Sequence, residues 1–165
     1  MIQKLVDKTD PVLREVIPEF DFTDKSLDPV QIAVDLADTM VVHRGLGLAA
    51  NQIGMRHRVF ALTGDPVQVC FNPRIVDLSE DRVMLLEGCL SYPDEFLNIR
   101  RPRVIKVRFT RPNGETVTER FDGITARIVL HEIDHLDGLV MHDRASVVQL
   151  EKLKNEIKKK ARLAK

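Results

Sequence analysis

The feature that most constrains this chain is the pentapeptide His131-Glu132-Ile133-Asp134-His135, which follows an apolar, helix-patterned run from Ile124 to Leu130. Residues four apart stack on one face of an α-helix, so His131 and His135 can direct two imidazoles at one metal ion. Glu132 then lies beside that ion and can serve as general base to its water. Because the run is apolar on several sides, the helix is predicted to be buried. The alternative is a helix that carries two solvated histidines.

A catalytic tetrahedral site needs a third protein ligand and one open position. Glu151 or Glu156, on a following helix, would supply the carboxylate of a zinc endopeptidase. His142 does not fall in the register of a third histidine. Cys89, in the segment Glu87-Gly88-Cys89-Leu90-Ser91, would supply a thiolate, which is a strong ligand for a borderline or soft divalent ion. Cys89 could instead be a small buried hydrophobe.

A third segment runs from Gly45 to Gln52 and reads Gly-Leu-Gly-Leu-Ala-Ala-Asn-Gln. Alone, it predicts a tight turn that enters a buried strand. Together with the segments around Cys89 and His131, it resembles the three signature motifs of peptide deformylases, in the family's order and near its spacing. The glycine before Cys89 resembles the bacterial type I branch. The resemblance extends from about Asp10 to Arg144.

This resemblance implies a metal-dependent hydrolase that removes the formyl group from the N-formylmethionine of nascent polypeptides and releases formate. It implies Cys89, His131 and His135 as metal ligands and Glu132 as the proton acceptor. In the family, an oxyanion is stabilised by a glutamine side chain and by a backbone N–H next to the cysteine. Those two donors correspond to Gln52 and Leu90.

Two other functions stay open at this point. A zinc endopeptidase would use His131, His135 and a glutamate of the last helix, and would leave Cys89 and Gln52 without roles. A non-catalytic binder of formyl-Met N-termini would be expected to lack Glu132 or a ligand, and this chain lacks neither.

The resemblance implies Fe²⁺ as the physiological metal, with Zn²⁺, Ni²⁺ or Co²⁺ as substitutes, although ligand affinity alone would not select Fe²⁺. The substrate site is predicted from residues near the motifs. Gly45 and Gly47 allow close backbone approach to the substrate. Leu46, Leu85 and Ile128 are candidates for the methionine pocket. Arg101 matches a family position beside the peptide groove or is a solvated strand-edge charge.

The 165 residues predict a single catalytic domain, residues 1–165, of the α+β class. Small antiparallel β-sheets are expected around a central metal-binding helix, with a basic amphipathic C-terminal helix over residues 146–165. A further helix is expected from Asp28-Pro29, a cap followed by an N1 proline, to Gly45. Strands are expected at residues 59–62, 67–71, 104–109 and 116–121, with Pro112-Asn113-Gly114 as a hairpin turn.

The formal net charge is zero, so the whole molecule has no electrostatic bias towards nucleic acid or an anionic membrane. No apolar run approaches the ~20 residues of a membrane span, and the first residues lack the apolar region of a signal peptide. A cytoplasmic protein is therefore expected, and a monomer is predicted.

The C-terminal residues 151–165 differ from this average, because they hold seven basic residues against two acids, a net charge of +5. Such a segment is often only a solvated helix end. By resemblance, it is expected to dock on the ribosome through Lys158, Lys159, Lys160 and Arg162, since basic side chains suit RNA phosphates.

Overall fold

In the computed structural model, which describes residues 1–163, the helix Gly123–Leu136 (α2) lies at the centre of the fold. Ten of its fourteen residues are buried, which confirms the prediction of a buried helix. Two antiparallel sheets and the remaining helices pack around it, so the α+β class and the central position of the histidine-bearing helix are also confirmed.

The remaining elements are helices, 3-10 turns and strands. The helices are α1 (Pro29–Val42), α2, α3 (Met141–Arg144) and α4 (Val147–Leu163), with 3-10 turns at Pro11–Arg14 and Ala50–Ile53. The strands are β1 (Gly47–Ala49), β2 (Val59–Leu62), β3 (Gln68–Leu78), β4 (Arg82–Cys89), β5 (Tyr92–Pro102), β6 (Val104–Thr110) and β7 (Thr116–Asp122).

One sheet has five strands in the order β1-β2-β3-β6-β7, and β4 pairs with β5 in a separate two-stranded sheet. The apolar side of α2 packs on the five-stranded sheet, where Val129 and Ile133 join a core with Phe60, Val107 and Phe109. Helix α1 fills a second core against β1, β2 and β3. The two-stranded sheet is separate from the five-stranded one and contacts α2 on the side that carries the histidines.

Several predicted boundaries are confirmed. Helix α1 begins at Pro29, and the Asp28 carboxylate caps it by accepting the backbone N–H groups of Val30 and Gln31 at 2.9 and 3.0 Å. The β6–β7 turn closes where it was expected, because the N–H of Arg111 donates to the carbonyl of Glu115 at 2.8 Å.

Other boundaries differ from the prediction. Helix α1 ends at Val42 rather than at Gly45, because Arg44 already adopts a left-handed backbone with φ 56°. Strand β3 continues to Leu78, and the whole β4–β5 hairpin was not predicted. Helix α4 follows the predicted position closely, although the last two residues of the predicted segment lie outside the described residues.

No helix within residues 1–163 is long and apolar enough to cross a membrane.

The end of α2 depends on Gly138, which has a left-handed φ of 72° just beyond the C-cap Asp137. A Cβ atom at this position would lie 2.7 Å from the carbonyl oxygen of Arg14. Gly114 has a similar φ of 87°, but a Cβ atom there would meet nothing within 4 Å. A comparison of substitutions at the two glycines therefore separates the cost of left-handed backbone strain from the cost of steric overlap.

We expect Gly114→Ala to lower the free energy of unfolding by roughly 1–2 kcal/mol, from left-handed strain alone. Gly138→Ala should lower it by clearly more, because it adds the overlap with Arg14. Urea unfolding of both variants gives the two values. Equal destabilisation would show that the contact between Gly138 and Arg14 is not tight.

Candidate metal centre

Three ligand-type side chains converge where the β4–β5 hairpin meets α2. Cys89 ends β4, while His131 and His135 lie one turn apart on α2. Their ligand atoms all lie within 4.8 Å of one another, and Cys89 Sγ is 3.2 Å from His135 Nε2. The imidazole centroids are 4.9 Å apart with their planes at 72°, so the two rings approach one point from different directions. The three residues predicted as ligands are thus brought together.

The donor set fits a divalent transition metal, because a thiolate and two imidazoles suit zinc and iron and leave a fourth position open. Both histidines are buried, and Cys89 is half-buried. The zinc endopeptidase set is not assembled: Glu151 and Glu156 are exposed on α4, and neither belongs to the ligand cluster found among the described residues.

A buried carboxylate, Glu87, holds His131 in place. Its Oε2 atom accepts a hydrogen bond from His131 Nδ1 at 3.0 Å, which leaves Nε2 of that ring for a metal. Arg101 donates to both carboxylate oxygens, at 2.6 and 2.9 Å, and Arg127 donates to Oε1 at 2.6 Å. Burial raises the pKa of Glu87, but the hydrogen bonds from His131 and Arg101 outweigh it and lower the pKa to about 2. Glu87 therefore stays ionised.

Glu87 and Arg127 were not singled out from the sequence. The signal for Glu87 was its position two residues before the candidate ligand Cys89, because side chains two apart in a strand lie on the same face. Arg127 lies four residues before His131, and this spacing places it one turn away on the same side of α2. Both signals needed the β4–β5 hairpin to be recognised first.

Arg101 does not lie beside the peptide groove, so that part of the sequence prediction is corrected. Only 4% of Arg101 is exposed, and its guanidinium points into the protein between Glu87 and Asp134. Asp134 Oδ2 accepts from Arg101 at 2.7 Å, and its other oxygen accepts from Arg144 at 2.6 Å. The alternation of β5 turns Arg101 towards α2, where two buried carboxylates neutralise it.

The Gln52 side chain lies beside the cysteine sulfur. Its Nε2 atom is 3.6 Å from Cys89 Sγ and donates to Ser91 Oγ at 3.0 Å, while its Oε1 accepts the backbone N–H of Ala49 at 2.9 Å. These contacts fix the Gln52 amide nitrogen next to the three ligand-type side chains. Leu90, the other predicted oxyanion donor, lines the adjoining cavity.

A cavity of about 540 Å³ opens onto the cluster. Most of the predicted substrate residues line it, but Leu85 does not. Leu85 lies on the same side of β4 as Glu87 but is not among the lining residues, and its neighbour Leu86 lines the cavity instead. The lining includes the predicted Gly45, Leu46, Gly47 and Ile128, together with the apolar side chains of Leu86, Leu90, Phe96 and Ile124.

Glu132 faces the same cavity, and 3% of it is exposed. Its Oε2 atom is buried without a hydrogen-bond partner among the residues that the structure describes. Burial raises the pKa of Glu132 to about 7. The carboxyl group lies against Gly47, where a Cβ atom would be 2.8 Å from Glu132 Cδ and 2.7 Å from Ile128 Cγ2. The lack of a side chain at Gly47 therefore leaves room for the Glu132 carboxyl group.

Comparison with known proteins points to one family. The model of the family described as polypeptide deformylase matches residues 2–151. A peptide deformylase of Bartonella tribocorum is 35% identical, and the match covers 98% of this chain and 94% of that protein. The crystal structure of the Thermotoga maritima peptide deformylase is 34% identical, with a TM-score of 0.83 over 88% of this chain and 99% of that one. The enzyme from Synechococcus elongatus, solved in complex with actinonin, is 31% identical, with a TM-score of 0.86 over 93% of this chain and 85% of that one.

The two cysteines of the chain, both free thiols, allow a matched test of the ligand set. Cys89→Ala removes the thiolate, so we expect its metal affinity to fall by more than about 10-fold. Cys70 is fully buried in the core on β3, and burial raises the pKa of its thiol, so Cys70→Ala should retain the metal. Metal content after anaerobic dialysis against a weak chelator measures both. A stoichiometric metal in Cys89→Ala would reject this ligand set.

Proposed function

The chain belongs to the peptide deformylase family, and we propose that Cys89, His131 and His135 hold its catalytic divalent metal ion. It is a hydrolase that removes the N-formyl group from N-formylmethionine of nascent polypeptides and releases formate. The proposal for the site is carried by one observation: a cysteine sulfur and two imidazoles converge beside a buried carboxylate and a cavity lined by apolar side chains.

A divalent ion held by these three residues would lower the pKa of its water to about 7 and would polarise the carbonyl that is attacked. Glu132 lies next to the ligand His131 in the cavity wall, so its carboxylate can accept the proton of the attacking water. The same group can then donate that proton to the nitrogen of the departing amine. Burial without a hydrogen-bond partner leaves Glu132 Oε2 available for both transfers.

Gln52 and Leu90 are proposed to stabilise the oxyanion that develops on the formyl oxygen. The Gln52 amide is fixed in advance by Ser91 and Ala49, so its N–H groups need no rearrangement during the reaction. The backbone N–H of Leu90 is the second proposed donor, since this residue follows Cys89 in the cavity wall. Loss of one such donor typically raises the barrier by about 3–4 kcal/mol.

The methionine side chain is proposed to enter the cavity between Leu46 and Ile128, with Leu86 replacing Leu85 as a wall residue. Gly45 and Gly47, which flank Leu46 in the chain, let the backbone approach the substrate closely. This arrangement favours a small acyl group at the metal and an unbranched apolar side chain beside it.

Fe²⁺ is the proposed physiological metal, with Zn²⁺, Ni²⁺ or Co²⁺ as substitutes. A thiolate-ligated iron site is sensitive to oxidation, because thiolates are readily oxidised in steps. The protein is further proposed to act as a cytoplasmic monomer and to form one catalytic domain over residues 1–165.

The variant Glu132→Gln separates metal binding from catalysis, because it replaces the proton-accepting carboxylate with an amide of nearly the same shape. We expect the variant to keep its metal and to release formate from formyl-Met-Ala-Ser about 10²–10⁴-fold more slowly. Glu156→Gln, which changes an exposed acid on α4, is the matched control and should behave as wild type. A Glu132→Gln enzyme with near wild-type turnover would remove Glu132 from the mechanism.

Ribosome docking is proposed for the end of α4. The helix is anchored by Leu153, which is 8% exposed and packs with Leu97 and Ile99 of β5. Lys158, Lys159, Lys160 and Arg162 are all exposed beyond this anchor. The basic end of α4 can therefore contact an anionic partner without disturbing the catalytic core.

Truncation of residues 158–165 tests this proposal. We expect formate release from a short peptide to stay within about two-fold of wild type, since the anchor Leu153 remains and exposed residues contribute little to stability. Salt-sensitive co-sedimentation with ribosomes should be lost, because contacts to RNA phosphates weaken steeply with salt. If the truncated protein co-sediments as well as the full chain, the basic helix end has no role in docking.

A further inference from the structure

Arg144 of α3 is not among the residues that line the cavity, yet a chain of charged contacts joins it to a proposed metal ligand. Its guanidinium donates to both oxygens of Asp134, from Nε to Oδ2 at 3.1 Å and from Nη2 to Oδ1 at 2.6 Å. Asp134 Oδ2 also accepts from Arg101, which donates to Glu87. Glu87 accepts from His131 Nδ1, so continuous hydrogen bonding runs from α3 to His131.

The two ends of this chain differ in their access to solvent. The side chains of Glu87, Arg101 and Asp134 are each less than 10% exposed, whereas 46% of the Arg144 side chain is exposed. Asp134 belongs to α2 and Arg144 to α3, so their contact also joins two helices. Arg144 is therefore the end of the chain that reaches the surface.

Arg101 is shared between two buried carboxylates. It donates to Glu87 through Nε and Nη2, and to Asp134 Oδ2 through Nη1 at 2.7 Å. Among the residues that the structure describes, Asp134 Oδ1 accepts a hydrogen bond from Arg144 alone. A buried carboxylate that loses a partner is strongly unfavourable. Without Arg144, the Asp134 carboxylate would therefore draw Arg101 towards itself and away from Glu87.

We propose that Arg144 is a positioning residue for the metal centre. By pairing with Asp134, it leaves Arg101 in place on Glu87, and Glu87 in turn fixes the ring of His131. The proposal rests on the proposed function, because that function makes His131 a metal ligand. Groups that orient a ligating histidine affect how tightly the metal is held. A contact that only joined α2 to α3 would instead affect the stability of the fold and leave metal affinity unchanged.

Competition between the protein and a chelator for Co²⁺, under anaerobic conditions, tests the proposal. We expect Arg144→Met to bind Co²⁺ about 10-fold more weakly than wild type. This is the lower end of the range for groups that orient a ligand, because Arg144 acts through Arg101 and Glu87. The visible absorption of bound Co²⁺ should also change, since it reports ligand geometry. Arg144→Lys should lose less affinity, because it keeps the charge but not the two-pronged contact.

Arg56→Met is the matched control. Arg56 also donates to both oxygens of one carboxylate, that of Glu15, at 2.8 and 2.9 Å, but this pair lies outside the chain that leads to His131. The control should keep the wild-type Co²⁺ affinity and absorption. Urea unfolding of the metal-free proteins shows whether each variant is folded and how far its stability has changed.

The His131 Nδ1 proton gives a second readout, by NMR of the Zn²⁺-loaded protein. We expect this proton to exchange slowly with water in wild type, because it is bonded to the buried Glu87, and to exchange faster in Arg144→Met. If Arg144→Met does not fold, Arg144→Gln takes its place in both measurements.

Wild-type Co²⁺ affinity and wild-type proton exchange in the folded Arg144 variant would overturn the proposal. An equal loss of affinity in Arg56→Met would overturn it too, because the effect would then follow stability alone. If the wild-type protein itself binds no stoichiometric Co²⁺, the proposed metal centre fails, which is a different result from a metal centre that does not depend on Arg144.

Discussion

The buried carboxylate of Glu87 is the interaction on which the rest of the site depends. It joins His131 and Arg127 of α2 to Arg101 of β5 at distances of 2.6–3.0 Å. A buried charge of this kind is tolerated only when it is fully paired, and removing one partner typically costs about 3–5 kcal/mol. The same network continues from Arg101 to Asp134. Glu87 therefore ties the hairpin to the helix through paired, buried charges.

This network explains how the proposed ligands, which come from separate elements, converge. Cys89 belongs to the hairpin, and His131 and His135 belong to the helix, so any slip between the two would separate sulfur from nitrogen. The segment from β1 to Ile53 completes the third side, with Gly47 against Glu132 and Gln52 beside the sulfur. Catalytic groups that are held before the substrate arrives need little reorganisation, which is the main source of electrostatic catalysis.

The sequence predicted the parts of this arrangement that are local. Helical spacing identified His131 and His135, and the Asp28 cap identified the start of α1. The β4–β5 hairpin was missed because its inward positions include charged residues, which break the usual alternation of apolar and polar residues. Arg101 was placed by resemblance and Leu85 by its nearness to the motifs, and neither argument determines the strand phase, which decides which side chains face the site. Only long-range pairing determines that phase.

The most direct test is a titration of metal-free protein with Fe²⁺ under anaerobic conditions, while formate release from formyl-Met-Ala-Ser is measured. If Cys89, His131 and His135 form one catalytic site, activity should rise linearly and stop rising at one equivalent of metal per chain. Full activity in the metal-free protein, or a rise that continues well beyond one equivalent, would contradict a single site built on these three residues.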